Sequence, residues 1–316
     1  MKGLGRLAAL ALALGTIAAS SPAIGQGSPI EVPGPVPLYD GTAPGSENWT
    51  QPRSEVRRGD SVAVFNTSQT RYTLHLPPAA KASGAAVVML PGGGLRMLGM
   101  GDPLDKEVET LLAQGVAVLV LEYRTLQLSL AEIERASAPP PPSPPGAPPA
   151  RFPRMAIVNG NANPAPDNAA LSEVLRLATA DAQAALALLH ARAPEWKLDP
   201  DRIGVMGTSA GGGVAFGALL DRGAPPERRP DFLVSIYGPA LQDVATWDGA
   251  PPLFLAVEAE HGAVTDGLID AFRIWNEDYQ SAELHIYQVP NFSMTIDLWG
   301  PRLFDWMRDR AILPRD

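Results

Sequence analysis

The stretch Arg202-Ile203-Gly204-Val205-Met206-Gly207-Thr208-Ser209-Ala210-Gly211-Gly212 reads as a short buried strand, a tight turn and the opening of a helix. The helix continues through Val214, Ala215 and Leu219. The turn has the pattern G-x-S-x-G, in which a sharp strand-to-helix reversal pushes one serine hydroxyl outward. Gly207 and Gly211 are the small residues such a reversal needs, because strand and helix pass close together there. Ser209 would then stand at a helix N-terminus, beside backbone N–H groups that can stabilise developing negative charge.

Outward from this turn, the pattern is one of alternating strands and helices. Ala85 to Leu90 and Val116 to Tyr123 are continuous apolar runs, as expected of parallel strands buried on both faces. A helix is expected between them over Asp105 to Gln114, and strand–helix–strand order implies a right-handed crossover. Val62 to Phe65 and Tyr72 to Leu76 alternate as strands about an Asn66-Thr67-Ser68 turn. Asn168 is the N-cap of a long helix whose apolar positions run from Leu171 to Leu189 at helical spacing. Asp181 interrupts that stripe and is expected to tie the helix to neighbouring backbone. Further strands are expected over Phe232 to Tyr237, Leu253 to Val257 and Leu284 to Tyr287. Helices are expected over Leu268 to Trp275 and Leu303 to Ile312. The fold class is α/β, with a mostly parallel central sheet and helices on both faces.

Residues 1–25 carry Lys2 and Arg6, an apolar run from Leu7 to Ala19, and small residues at Ala23-Ile24-Gly25. This is the pattern of a secretory signal peptide, too short in its apolar part to span a bilayer. The expectation is a secreted or periplasmic protein with no membrane span in the mature chain. Residues 26–60 form a Pro- and Gly-rich lead that is expected to lie extended, pinned by Tyr39 and Trp49. Residues 61–316 are expected to be a single domain with a proline-rich loop inserted at 138–150. That loop follows the C-terminal end of a strand, on the face where open α/β sheets bind ligands.

The chain of 316 residues has a formal net charge of −9 and no basic run, which argues against nucleic acid and anionic lipid as partners. It has no cysteine and four histidines, so thiol catalysis is excluded and no metal-ligand cluster is apparent. The triple glycine Gly92-Gly93-Gly94 is not followed by Gly-Lys-Ser/Thr and is therefore not a phosphate loop. No cofactor and no metal are expected. Lying after a buried strand, the triple glycine leaves backbone N–H groups uncovered and able to donate to an oxyanion.

These pieces resemble the α/β-hydrolase superfamily, and within it the secreted bacterial carbohydrate-esterase branch that includes acetyl xylan and feruloyl esterases. The resemblance spans about residues 35 to 313. It is carried by Pro91-Gly92-Gly93-Gly94-Leu95-Arg96-Met97, Glu122-Tyr123-Arg124, Asp181, Asp199-Pro200-Asp201-Arg202-Ile203-Gly204-Val205 and the serine turn. It implies hydrolysis of a carboxylic ester, most directly an acyl group on a carbohydrate. Ser209 would be the nucleophile. The amides of Gly93, Gly94 and Ala210 would form the oxyanion hole.

The chain departs from the family pattern at the other two triad positions. The family acid follows the strand that is here Leu253 to Val257, but the sequence reads Glu258-Ala259-Glu260-His261-Gly262. The family histidine follows the last strand, but the sequence reads Val289-Pro290-Asn291-Phe292-Ser293-Met294. Leu95 stands where the family has a tyrosine. His261 is the one histidine expected on the ligand-binding face and is the candidate base. Glu260 is the candidate acid, with Glu258 and Asp266 also in reach along the chain. The incomplete triad predicts weak or lost turnover. Three readings stand on the sequence: a working esterase with a rearranged dyad, a silent hydrolase that retains a carbohydrate or acyl pocket, and an envelope interaction protein with the proline-rich loop as its handle.

Overall fold

The computed structural model describes residues 30–31, 34–138, 155–289 and 294–315. The expected signal peptide and nearly all of the proline-rich loop lie outside these residues. So does Asn291, in the segment expected to replace the family histidine.

The core of the molecule is one large twisted sheet. Five strands form its parallel centre: β6 (Ala86–Leu90), β8 (Ala117–Glu122), β9 (Ile203–Thr208), β10 (Leu233–Ile236) and β11 (Leu253–Glu258). The parallel strand β12 (Ala282–Tyr287) forms the edge beyond β11, and the antiparallel strand β5 (Arg71–Leu76) flanks β8. Two short strands from the lead, β1 (Ile30–Glu31) and β2 (Val36–Pro37), add to β5. The order is β1-β5-β8-β6-β9-β10-β11-β12. Every residue of β6, β8, β10 and β11 is buried. That is the physical reason their sequences read as unbroken apolar runs rather than alternating ones.

Helices cover both faces. Helices α3 (Ala169–Trp196), α4 (Ala210–Leu220) and α5 (Ala263–Glu277) pack on Val88, Leu90 and Val205 of one face. Helices α1 (Leu104–Ala113) and α6 (Ile296–Asp309) pack on Val87, Met89 and Met206 of the other. The alternation of β6 between the two clusters follows from the two-residue period of a strand. No helix among the described residues is long and apolar enough to cross a membrane.

The lead is held as expected. Tyr39 donates its hydroxyl to Asp181 Oδ1 at 2.8 Å, and Trp49 packs on the main core. Asp181 is fully buried and also accepts from the Arg124 backbone N–H at 3.0 Å and from the Arg124 guanidinium at 2.8 Å. One carboxylate thus joins the lead, the end of β8 and the middle of α3.

Beyond the short lead strands, three elements beside the cleft are not anticipated from the sequence. Strands β3 (Ser54–Arg58), β4 (Ser61–Phe65) and β7 (Met97–Gly101) form a separate antiparallel sheet in the order β3-β4-β7. Only β4 was expected. Strand β3 reads Ser-Glu-Val-Arg-Arg and β7 holds two glycines, so neither has strand composition. Their pairing with β4 supplies what local propensity lacks. Helix α2 (Leu130–Ser137) begins with a capping box in which Ser129 and Glu132 satisfy each other's backbone N–H groups. Its single fully buried residue, Ile133, gives too weak an apolar stripe to betray it.

Candidate active site

Ser209 sits between β9 and α4 with φ 52° and ψ −127°. This left-handed region is costly for a residue with a side chain and persists only where the surroundings over-determine it. Two contacts do so. The Ser209 N–H donates to the Ile236 carbonyl at 3.1 Å, and the Ser209 carbonyl accepts from Gly212 N–H at 2.8 Å. The flanking glycines are required by space. A Cβ on Gly207 would lie 2.3 Å from the Gly211 carbonyl oxygen, and one on Gly211 would lie 2.0 Å from that of Leu90.

The glycine loop after β6 packs directly against this turn. A Cβ on Gly92 would approach Ser209 Cβ to 2.9 Å. The loop is anchored at its start by the Tyr123 hydroxyl, which donates to the Pro91 carbonyl at 2.5 Å. At its far side Gly99 N–H donates to the Gly92 carbonyl at 2.8 Å, which ties the loop to β7. The amides of Gly93 and Gly94 donate to no described residue. Ala210 is the first residue of α4, so its N–H precedes the helix's own ladder. Of these three, Gly93 lines the cleft beside Ser209, whereas Gly94 is exposed and lies outside its lining, as does Ala210.

The cleft has a volume of about 450 Å³. Ser209, Thr208 and Tyr237 form its floor at the ends of β9 and β10, and Pro91, Gly92 and Gly93 form one side. The small sheet supplies the facing wall through Val56, Val62, Ala63 and Met100. Leu104 and Glu107 of α1 and Ser137 of α2 complete it. Burial alone pushes the Glu107 carboxyl up to about 8. Burial, with the nearby Glu107 and Glu258 charges, raises the Tyr237 hydroxyl further above its ordinary value.

His261 lies after β11, and its ring Nδ1 is 2.6 Å from Glu258 Oε2. Both residues are buried. Thr265 fixes the turn between them: its hydroxyl donates to the Glu258 carbonyl at 2.7 Å and accepts from the His261 N–H at 3.1 Å. With Nδ1–H donating to Glu258, the acceptor nitrogen of the ring is Nε2. The acid partner is therefore Glu258 and not Glu260, which is exposed. The reason is geometric. Glu258 is still the last residue of β11, whose side chain points into the packed interior, while Glu260 lies at the tip of the following turn.

The structure does not join His261 to Ser209. No hydrogen bond links them, and the His261 ring does not line the cleft. Tyr237 connects the two regions: it lines the cleft with Ser209, and its ring stacks on that of His261 with centroids 5.8 Å apart. Strands β9, β10 and β11 are consecutive neighbours, with Thr208, Ile236 and Ala256 level across them. Ser209 and the start of the His261 turn are thus two strand spacings apart, roughly 10 Å. His75 lies on β5, His190 on α3 and His285 on β12; none of them lines the cleft. Among the described residues no group of three His, Asp or Glu could hold a metal ion.

With this geometry in hand, comparison with known proteins identifies the fold. Residues 169–281, which include the serine turn and the His261–Glu258 pair, match the family model for the alpha/beta hydrolase fold. An acetyl ester-xyloside bifunctional hydrolase from Caldicellulosiruptor lactoaceticus superposes with a TM-score of 0.52 at 16% identity, covering 89% of this chain and 97% of its own. A carboxylesterase from Lactobacillus plantarum WCFS1 gives 0.54 at 11% identity, covering 84% and 100%. A sugar hydrolase from Lactococcus lactis gives 0.50 at 16%, covering 82% and 98%. No curated protein sequence matches the chain. The protein has the α/β-hydrolase fold.

Proposed function

We propose that the protein hydrolyses carboxylic esters through Ser209, with acyl groups carried on carbohydrate as the substrate class. The observation that carries this reading is the strained placement of Ser209 at the floor of a cleft, against a glycine loop whose amides have no other described acceptor. In the reaction Ser209 Oγ bonds to the ester carbonyl carbon. The carbonyl oxygen takes up negative charge, which the Gly93 and Ala210 amides stabilise. The hydroxyl proton passes to His261 Nε2, and then to the alcohol as the carbon–oxygen ester bond breaks. Water then releases the acid from Ser209 by the same route.

No hydrogen bond joins Ser209 to His261, and the roughly 10 Å between them is a strand spacing rather than a side-chain distance, so the proton reaches the imidazole when the two side chains approach or solvent bridges them. The missing contact supports slow turnover compared with a contact triad. Glu258 orients the imidazole.

The test is labelling with a fluorophosphonate probe, read by mass spectrometry. Ser209 in the wild type should be modified and Ser209→Ala should not. An unlabelled wild type, with no difference between the two proteins in aryl acetate hydrolysis, would overturn the reading. We also infer export, from the charged and then apolar pattern of residues 1–25. A mature N-terminus at position 26 supports it; an intact Met1 in the exported fraction contradicts it.

A further inference from the structure

The cleft holds more polar groups than the ester chemistry uses. Glu107 is only 5% exposed and lines the cleft from α1, yet its carboxyl has no hydrogen-bond or ion-pair partner among the described residues. Ser137 and Thr208 also line the cleft, and the hydroxyl of each is buried without a partner. The Tyr237 hydroxyl makes no hydrogen bond to a described residue either. Around them the walls are mostly apolar, through Val56, Val62, Ala63 and Met100, with Arg58, Ser61 and Asp102 also in the lining. Buried polar groups are nearly always paired, and a cluster of unpaired ones in one cavity calls for an explanation.

We propose that Glu107, with the hydroxyls around it, is a specificity-determining group that binds a hydroxyl on the polyol part of the ester substrate. A ligand hydroxyl both donates and accepts, and so does a protonated carboxyl. Burial keeps the Glu107 proton on at neutral pH, so the group meets a neutral partner as a neutral one. Among the described residues no cation pairs with it, although Arg58 lines the same cleft. The inference deepens the carbohydrate-ester reading and rests on it for the kind of substrate. It does not rest on Ser209 being reactive.

The test therefore has a binding arm and a turnover arm. In the first, methyl β-xylopyranoside is titrated calorimetrically into the full chain, the Glu107→Leu variant and the Glu107→Gln variant. Leu fits the apolar walls but removes both hydrogen-bonding atoms; Gln keeps a donor and an acceptor. Affinity should fall roughly tenfold in the Leu variant, the worth of about one hydrogen bond, and by less in the Gln variant. Equal affinity in all three proteins, or no binding to the wild type, overturns the proposal. In the second arm kcat/KM is compared on a mono-O-acetyl methyl xyloside and on 4-nitrophenyl acetate. The ratio of sugar ester to aryl ester should fall about tenfold in the Leu variant. An equal fall on both esters marks a merely structural role and overturns it. Should Ser209→Ala hydrolyse both esters at the wild-type rate, the esterase reading fails, while the binding arm still decides the role of Glu107. Circular dichroism and the Tm of each variant establish that it is folded.

Discussion

His261 Nδ1 and Glu258 Oε2 stand 2.6 Å apart in a buried turn, three residues from each other in the chain. An imidazole held by a carboxylate has one nitrogen committed and the other set up as an acceptor, which is the arrangement a general base requires. Removing the imidazole should therefore cost more than removing its partner. His261→Ala is expected to lower kcat on 4-nitrophenyl acetate by about 10²-fold or more. Glu258→Gln should lower it by less than His261→Ala, and Glu260→Gln by less than Glu258→Gln. Steady-state rates for the three variants check this. A rate for His261→Ala equal to that of the wild type would remove the dyad from the mechanism.

The buried Asp181–Arg124 pair carries the connection between α3, β8 and the lead. Arg124 is 1% exposed and Asp181 is 0% exposed. Losing one partner leaves an uncompensated buried charge, which costs on the order of 3–5 kcal/mol. Asp181→Asn should lower the urea midpoint strongly, and limited proteolysis should open the lead around Tyr39 first. A variant as stable as the wild type would show that the pair only fills space.

Gly211 offers a steric test of the serine turn. Alanine there would place its Cβ 2.0 Å from the Leu90 carbonyl oxygen, which is backbone and cannot swing aside. Either α4 or β6 must shift, at a cost of about 1–3 kcal/mol. Gly211→Ala should lower Tm by several degrees and reduce fluorophosphonate labelling of Ser209, because the shift moves the hydroxyl relative to Gly92. Unchanged labelling with an unchanged Tm would mean the turn is looser than its geometry indicates.

Glu107 should write a pH signature into stability. Its carboxyl holds a proton up to about pH 8 in the folded protein, against an ordinary value of 4.5 in the unfolded chain. Between these values the folded state binds more protons, so this group's contribution to stability falls as pH rises through that window. In Glu107→Gln that contribution is absent. Urea unfolding at pH 5, 7 and 8.5 should therefore show the wild type losing stability relative to the variant, by on the order of a few kcal/mol across the range. Parallel pH dependence in the two proteins would place Glu107 in a wetter setting.

Much of the fold is legible in the sequence because burial on two faces leaves a plain trace. Ala86–Leu90, Ala117–Glu122 and Leu253–Glu258 are apolar without interruption, and the helices between them carry apolar stripes. Ser209 was legible for a different reason: a strained turn tolerates few residues, so its glycines are imposed by contacts as close as 2.0 Å. Strand β7 and strand β3 left no such trace. Each is held by pairing with β4, a partner that local composition does not reveal.

The chemistry of the site divides along the same line. The chain by itself determined the sheet, the serine turn and the absence of a histidine after the last strand, since each depends on neighbours in sequence. Only the tertiary structure decided that Glu258 rather than Glu260 meets His261, and that Tyr237 stacks on that ring while lining the cleft. It alone brought Glu107 from α1 to the same cavity as Ser209. Those choices depend on which way a side chain leaves its strand or helix and what stands opposite, and packing between distant segments settles that.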